Sequence, residues 1–302
     1  MILVIGDMHL KNKEPYFTAQ KEFLNWVDEK YPKHELLFLG DVFDTSSPAW
    51  NVFETFKSFI SNRKGNVHIL EGNHDKSAQK GSAVQNLQIG IDNVYVYTER
   101  QEIVIDGKKC LVCPYTYDKS IYEDFSWNGD YCFLHLTNKE DAFGDEWVNT
   151  EGIKATQIFG HTHTFREVNK NKIVLGVPVP TRNLEINNNI IEITDSGYSY
   201  IKHPEYFNFE DIKYGDFPDN KNNILNIKDA PSIMSVYDMY KDYYVRYEGI
   251  TFITDEEKDD SDVFDFNSDN LEISWKDYTN IKEHNVSNDV NNTALKYFAI
   301  VR

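Results

Sequence analysis

The sequence predicts an α/β protein: a two-sheet α/β domain over residues 1–200, followed by a small α+β appendage over residues 201–302. Three features carry this expectation. Apolar runs of four or five residues alternate with longer amphipathic stretches up to about residue 70. From there to residue 194 the apolar runs come as short β-like pieces, two of them joined by Asp-Gly. Beyond residue 200 the chain turns polar, with an Asn- and Asp-rich segment at 216–223 and an acidic run at 255–260.

The elements follow in order. Residues 1–5 are apolar and end at Gly6-Asp7, the pattern of a buried strand closed by a turn. Residues 15–31 place Phe17, Phe23, Leu24 and Val27 at near-helical spacing. Residues 36–39 form a second buried strand, ending at Gly40-Asp41. Residues 48–63 carry Val52, Phe53, Phe56, Phe59 and Ile60 on one stripe, with Pro48 near the start of this second helix. Val67–Leu70 is a third strand, ending at Glu71-Gly72. This βαβαβ order implies a layered core whose strand ends carry the site.

Residues 102–105 and 108–112 flank Asp106-Gly107, a pair that tolerates the positive φ values of a type I′ turn, so they read as a hairpin. Residues 131–136, 157–159, 172–177 and Asn189–Thr194 are further strands. In the appendage, 233–243 reads as a helix and 244–250 and 271–275 as strands. The 216–223 segment is a linker or surface loop, and the 255–260 run a solvated loop.

Composition narrows the function classes. The net charge is −18, with 28 acidic against 20 basic side chains in residues 1–200 and 21 against 11 in residues 201–302. Duplex DNA carries one negative charge per ~1.7 Å, so a broad DNA-coating surface is disfavoured. A local positive groove, or a site made positive by bound metal, remains open. Three cysteines are too few for a disulfide scaffold, and no apolar run approaches the ~20 residues that cross a bilayer. Residues 1–5 have no basic stretch before them, so they are not read as a signal peptide, and a reducing, cytoplasmic location is expected. Cys110 and Cys113 share a C-x-x-C spacing, but on a strand they face opposite sides, so ordinary core packing is expected.

Five segments at strand ends carry chemistry: Asp7-Met8-His9, Gly40-Asp41-Val42-Phe43-Asp44, Gly72-Asn73-His74-Asp75, Leu134-His135 and Gly160-His161-Thr162-His163. Five of the nine histidines lie in them. Carboxylate, imidazole and amide oxygen together suit Mn, Fe, Zn or Mg, and the absence of cysteine argues against a structural zinc site. Each segment alone has a blander reading. Asp7-x-His9 fits a helix cap, His135 a satisfied core histidine, and Gly72-Asn73-His74-Asp75 a plain turn. Their conjunction at successive strand ends is what points to a metal centre. His34, His68, His203 and His284 lie outside it and receive no role.

The order Asp-x-His, Gly-Asp-x-x-Asp, Gly-Asn-His-Asp, His, Gly-His-x-His resembles the calcineurin-like metallophosphoesterase superfamily. The stretch from Gly40 to Pro48, Gly72 to Asp75, and Cys113-Pro114-Tyr115 resemble its SbcD-type DNA repair nuclease branch, the bacterial and phage counterparts of the double-strand-break exonuclease. The resemblance spans about residues 1–185. It implies a two-sheet metallophosphoesterase sandwich flanked by helices, with residues 201–302 as a C-terminal cap. It implies one metal on Asp7, His9, Asp41 and His163, and another on Asp41, Asn73, His135 and His161. The ions would be two divalent metals, with Mn expected and Mg, Fe or Zn as alternatives. A hydroxide bridging them would attack phosphorus, with His74 as general acid. Asp44 would hydrogen-bond His74 and ready it for proton donation. The blander role for Asp44, capping the helix near Pro48, suits Ser46 or Ser47 better.

Protein serine/threonine phosphatases of this superfamily continue with Asp-Arg-Gly, where this chain has Asp44-Thr45-Ser46. Losing that arginine costs a dianionic monoester more than a monoanionic diester, which favours a phosphodiesterase or nuclease. The expected function is therefore a DNA exonuclease/endonuclease acting in repair, recombination or replication. The alternatives are a diesterase for cyclic nucleotides or other small molecules, and a catalytically idle binding protein. Arg63, Lys64, Lys76, Lys80, Arg166, Lys170 and Lys172 would line a DNA groove, or else form a solvated face. Cap contacts would come from Lys241, Arg246 and Lys276. Expected partners are DNA, an SbcC-type ATPase subunit and a second copy of the chain as a homodimer, with no membrane. Residues 288–298 are too short and polar for a long ATPase-binding helix, so the ATPase would dock elsewhere or the nuclease would act alone.

Overall fold

Strand β1 (Ile2–Ile5) is apolar at every position and buried on both faces, which places it inside a sheet. The computed structural model describes residues 1–251 except 78–80, 123–124, 140–146, 182–184, 186–188, 219, 222 and 247–249. Its chain divides into two compact units, Met1–Tyr206 and one beginning at Phe207.

In the first unit, α1 (Tyr16–Lys30) leads to β2 (Glu35–Phe38), and α2 (Trp50–Ser61) to β3 (Val67–Leu70). Two-residue strands β4 (Lys76–Ser77) and β5 (Gly81–Ser82) pair with each other, and β6 (Val94–Tyr97) follows. The hairpin is β7 (Gln101–Ile105) and β8 (Lys108–Cys113), with Asp106 and Gly107 at φ 47° and 74°, as a type I′ turn requires. Then come β9 (Trp127–Leu134), β10 (Ile153–Phe159), β11 (Arg166–Asn169), β12 (Lys172–Val174), β13 (Asn189–Thr194) and β14 (Gly197–Lys202).

These strands form two mixed six-stranded sheets, ordered β14-β13-β1-β2-β3-β6 and β11-β12-β10-β9-β8-β7. Within the first, β1, β2, β3 and β6 are parallel; within the second, β8, β9, β10 and β12 are. Period-two alternation decides which side chains meet. Ile2, Val4, Leu37 and Ile191 of one sheet pack with Val112, Phe133, Ile158 and Ile173 of the other, so a core fills the space between them. Cys110 belongs to this core, while Cys113 faces the opposite side and lies 3.9 Å from Cys132, both buried and unbridged.

The helices come close to their expected bounds. In α1 the buried face is Tyr16, Ala19, Gln20, Phe23, Leu24 and Val27, with Phe17 only half-buried. In α2 it is Val52, Phe56 and Ile60, and the N-cap is Ala49, with no side-chain cap from Ser46, Ser47 or Asp44. Strands β6 and β14 are additional to those expected from the sequence.

In the second unit, β15 (Phe209–Lys213), β16 (Ile224–Lys228) and β17 (Tyr244–Val245) form a parallel three-stranded sheet, with α3 (Ile233–Tyr240) between the last two. Ser232 caps α3 by accepting from Ser235 N at 3.1 Å. The polar 216–223 stretch, of which 219 and 222 lie outside the described residues, falls between β15 and β16 in the chain, inside this unit. The expected strand at 271–275, the 255–260 run, Lys276, His284 and 288–298 lie outside the described residues. Among the described residues, no helix is long and apolar enough to cross a membrane.

Phe133 is fully buried between the sheets. Phe133→Ala should lower the unfolding free energy by about 3–5 kcal/mol, measured by urea denaturation.

Candidate metal centre

Because β1, β2 and β3 are parallel, and β9 and β10 likewise, their carboxyl ends deliver five loops to one region. Main-chain bonds knit the first two: Met8 N and His9 N both donate to Asp41 O, at 3.1 and 2.9 Å, and Leu10 N donates to Val42 O at 2.9 Å. Gln20, buried on α1, donates from Nε2 to Met8 O and His9 O, both at 2.9 Å, and accepts from Lys11 N. Asp75 binds the second loop to the third, accepting from Phe43 N (3.0 Å), Val42 N (3.3 Å) and Gly72 N (2.9 Å). Asp7 reaches across to the other sheet, accepting from His161 N at 2.8 Å.

This bracing holds unusual backbone. His9, Asp41 and His161 have φ of 42°, 44° and 70°, a region non-glycine residues seldom occupy, at a cost of roughly 1–3 kcal/mol each. Close approach demands glycine in these loops. A Cβ on Gly72 would lie 2.0 Å from Asp41 Oδ1, and one on Gly40, itself at φ 119°, would lie 2.3 Å from His135 Nδ1.

Asp41 stands at the middle. Its Oδ2 is 3.7 Å from His9 Nε2 and 3.3 Å from His135 Nε2, and its Oδ1 accepts from His74 N at 2.8 Å. On one side, ligand atoms of Asp7, His9 and His163 lie within 4.8 Å of one another; on the other, those of Asp41, His135 and His161 do. Asn73 Oδ1 joins the second group, 3.1 Å from His135 Nε2. A third group holds His9, Asp44 and His74.

The donor atoms fit divalent cations. His135 Nδ1 faces Leu39 O at 2.9 Å, a carbonyl that can only accept, so the proton of the neutral ring sits there. Its Nε2 then presents a lone pair to Asn73 Oδ1 and Asp41 Oδ2, both acceptors. Likewise His163 Nδ1 is held by the Glu185 carboxylate, and its Nε2 lies 2.9 Å from His9 Nε2. At His135, a ring lone pair facing two oxygen acceptors in buried surroundings calls for positive charge between them. Asp7 Oδ1 and His9 Nδ1 are buried without a hydrogen-bond partner.

Titration behaviour follows the same crowding. Burial pushes His9 well below its usual value and His161 down to about 4, so both rings are neutral and able to ligate. Burial raises Asp7 to about 6 and, with Asp41 beside it, Asp75 to about 7. Burial works against charge on Asp41 and His135 too. His135, His9 and His74 nevertheless hold Asp41 far below the usual carboxylate range, and Asp41 and Asp7 lift His135 to about 9.

The chain matches the calcineurin-like phosphoesterase family model over residues 1–165. It belongs to the calcineurin-like phosphoesterases. As a metallophosphoesterase it is a hydrolase of phosphate esters, with Asp/His groups suited to divalent metal. No curated protein sequence matches it. Solved structures similar to it include an archaeal phosphodiesterase, at 14% identity, covering 67% of this chain and 99% of that one, with TM-score 0.38. Another is a protein of unknown function from Aquifex aeolicus, at 18% identity, covering 52% and 88%, with TM-score 0.29. A third is the 5′-nucleotidase precursor from Thermus thermophilus, at 13% identity, covering 66% and 53%, with TM-score 0.34. The family match alone carries the assignment.

Several residues differ from their sequence-based placement. The Asp44 carboxylate makes no hydrogen bond to His74; His74 Nδ1 is 2.8 Å from the Asp44 main-chain carbonyl. The carboxylate instead lies 3.4 Å from Lys11 Nζ and 3.7 Å from His9 Nδ1. Arg63 cannot line a groove: its buried guanidinium is bound to Asp28, Tyr31 O and His34 O. Lys172 pairs with Gln157, which puts it and Lys170 toward the opposite end of the sheet, whereas Arg166 pairs with Val174 on the site's side. Lys80 lies outside the described residues.

Two supporting residues had no motif to reveal them. One is Gln20. The other is Glu185, buried, which holds His163 with one oxygen and accepts from Thr181 N (2.7 Å) and Thr181 Oγ1 (2.8 Å) with the other. A carboxylate behind a ligating histidine fixes its tautomer and orientation. Glu185→Ala should weaken manganese binding about 10–100-fold, read by calorimetric titration.

Proposed function

We propose that this metallophosphoesterase is a two-metal phosphodiesterase acting on DNA, an exonuclease/endonuclease of the SbcD type serving repair, recombination or replication. Asp7, His9, Asp41 and His163 would hold one ion and Asp41, Asn73, His135 and His161 the other, with manganese as the proposed metal. When bound, the ions supply Lewis acidity and an acidified water.

The chain's own contribution is to orient and to move a proton. Asp41 would serve both ligand groups through the oxygen that lies 3.7 Å from His9 Nε2 and 3.3 Å from His135 Nε2, and the His74 main-chain N–H fixes its other oxygen. The His74 ring is exposed and stands edge-on to His9, with centroids 4.8 Å apart. With Nδ1 donating to the Asp44 carbonyl, Nε2 is left to deliver a proton to the leaving oxygen and to recover it from solvent. The Asp44 carboxylate, close to His74 but not bonded to it, would act through its charge.

Diester chemistry rests on the loop after Asp41. Thr45 occupies the position where the protein serine/threonine phosphatases carry their arginine. A monoester brings close to two negative charges at neutral pH. Lys11 is already matched by Asp44, and Lys76 by Glu71 at 3.2 Å, so a monoanionic diester suits the site better. DNA, an SbcC-type ATPase subunit and a second copy of the chain are the proposed partners.

The test offers the manganese-loaded protein linear duplex DNA, single-stranded circular DNA, an aryl diester and an aryl monoester. DNA and the diester should be cut and the monoester nearly spared. Cleavage of the aryl diester alone would replace DNA with a small diester as substrate, and no cleavage with metal bound would point to a binding protein. His74→Ala should lower kcat by about 10²–10⁴ while calorimetry shows manganese affinity retained.

A further inference from the structure

Beside the metal centre lies a group of rings that the phosphoester chemistry does not use. After β8, the Cys113-Pro114-Tyr115 turn brings Tyr115 next to the ligand histidines, its ring centroid 5.7 Å from His161 and 6.4 Å from His135. Tyr117 packs edge-on against Tyr115 at 5.1 Å, yet 78% of it is exposed. What distinguishes this open ring from the other exposed apolar side chains is its place one ring away from the ligand histidines, where a bound ligand can bury it favourably.

The platform is held in place. Tyr115 N donates to Glu71 O at 2.9 Å, tying the turn to the end of β3. Lys76 Nζ donates to Tyr115 O at 3.0 Å and pairs with the buried Glu71 carboxylate. The same ammonium lies 5.6 Å from the Tyr115 ring centroid and 5.8 Å from that of Tyr117. Beyond Tyr117, Asp118 N donates to Thr116 Oγ1, and Asp118 Oδ1 accepts from Ser120 N and Oγ, so the turn is locally closed. A fixed ring with a cation alongside offers a flat, partly polar stacking surface one ring away from His161.

A nucleobase is the ligand that matches such a surface. Its π-face is common to all four bases, and stacking adds affinity that does not depend on charge. That matters on a chain of net charge −18, where phosphate attraction is weak at long range. Paired bases inside a duplex present edges, not faces, so only an unstacked base can use it. We infer that Tyr117, supported by Tyr115 and Lys76, stacks an unpaired base of the nucleotide next to the scissile phosphate, which makes DNA with single-stranded or frayed ends the preferred substrate. The inference rests on the DNA-cleaving reading and specifies which DNA.

The test is a cycle of two changes in the manganese-loaded full chain. Wild type, Tyr117→Ala and Tyr117→Trp are assayed on a 3′- or 5′-overhang substrate, and on the same substrate with abasic residues flanking the cleaved bond. In wild type, removing the bases should lower kcat/KM about tenfold, mainly through KM. Tyr117→Ala should show that loss with the bases present and no further loss without them, and Tyr117→Trp should restore the wild-type pattern. If wild type cuts DNA but Tyr117→Ala matches it, or loses equally on intact and abasic substrates, stacking is refuted and the nuclease reading stands. If wild type cuts the aryl diester and no DNA, the nuclease reading falls and the base platform with it.

Discussion

Every part of this centre depends on one electrostatically unfavourable meeting. The Asp41 carboxylate, the Asn73 amide oxygen and the Nε2 atoms of His9, His135 and His163 form a chain of close neighbours 2.9–3.7 Å apart, with Asp41, His9 and His135 buried. Left to themselves they would take up protons or move apart. His135, lifted to about 9, shows the first response, with a proton standing where a cation would. The second is prevented by the fold, because each side chain is fastened from behind: His135 by Leu39 O, His163 by Glu185, Asp41 by the His74 N–H. Burial and orientation thus create a demand for positive charge that divalent metal meets.

Sheet geometry makes that concentration of like groups achievable. Parallel strands send their carboxyl ends the same way, so two facing sheets direct five loops at a common region without long excursions of chain. The strain appears where expected, in the left-handed backbone of His9, Asp41 and His161. Rigid strands on one side of each loop, and Gln20, Asp75 or Asp7 on the other, keep those residues in place.

Much of this was legible from residue order, and the reason is local. Each strand before a site loop ends in an apolar residue, and in four of the five loops a glycine stands directly before the first ligand type, at Gly6, Gly40, Gly72 and Gly160. The five segments therefore stood out before any coordinates, and it was the family resemblance that implied Asp7, His9, Asp41, Asn73, His135, His161 and His163 within them as the ligands. What escaped depended on distance along the chain. Glu185 sits 22 residues from His163, in a stretch with no pattern of its own, and Gln20 looks like any polar residue on a helix until its amide is found beneath Met8 and His9. Arg63 failed the other way: a basic residue before a strand looks exposed, but its partners Asp28, Tyr31 and His34 enclose it. For Asp44 and His74 the contact is through a main-chain carbonyl, which side-chain chemistry cannot reveal.

Asp75 has a consequence for how such a protein can change over evolutionary time. Its single carboxylate satisfies amides of two separate loops, at Val42 and Phe43 in one and Gly72 in the other. Replacing either loop with one from a distant homologue would strand a buried acid or leave two amides without an acceptor. The two segments, some thirty positions apart, are thereby coupled, so that a change in the path of one is felt by the other.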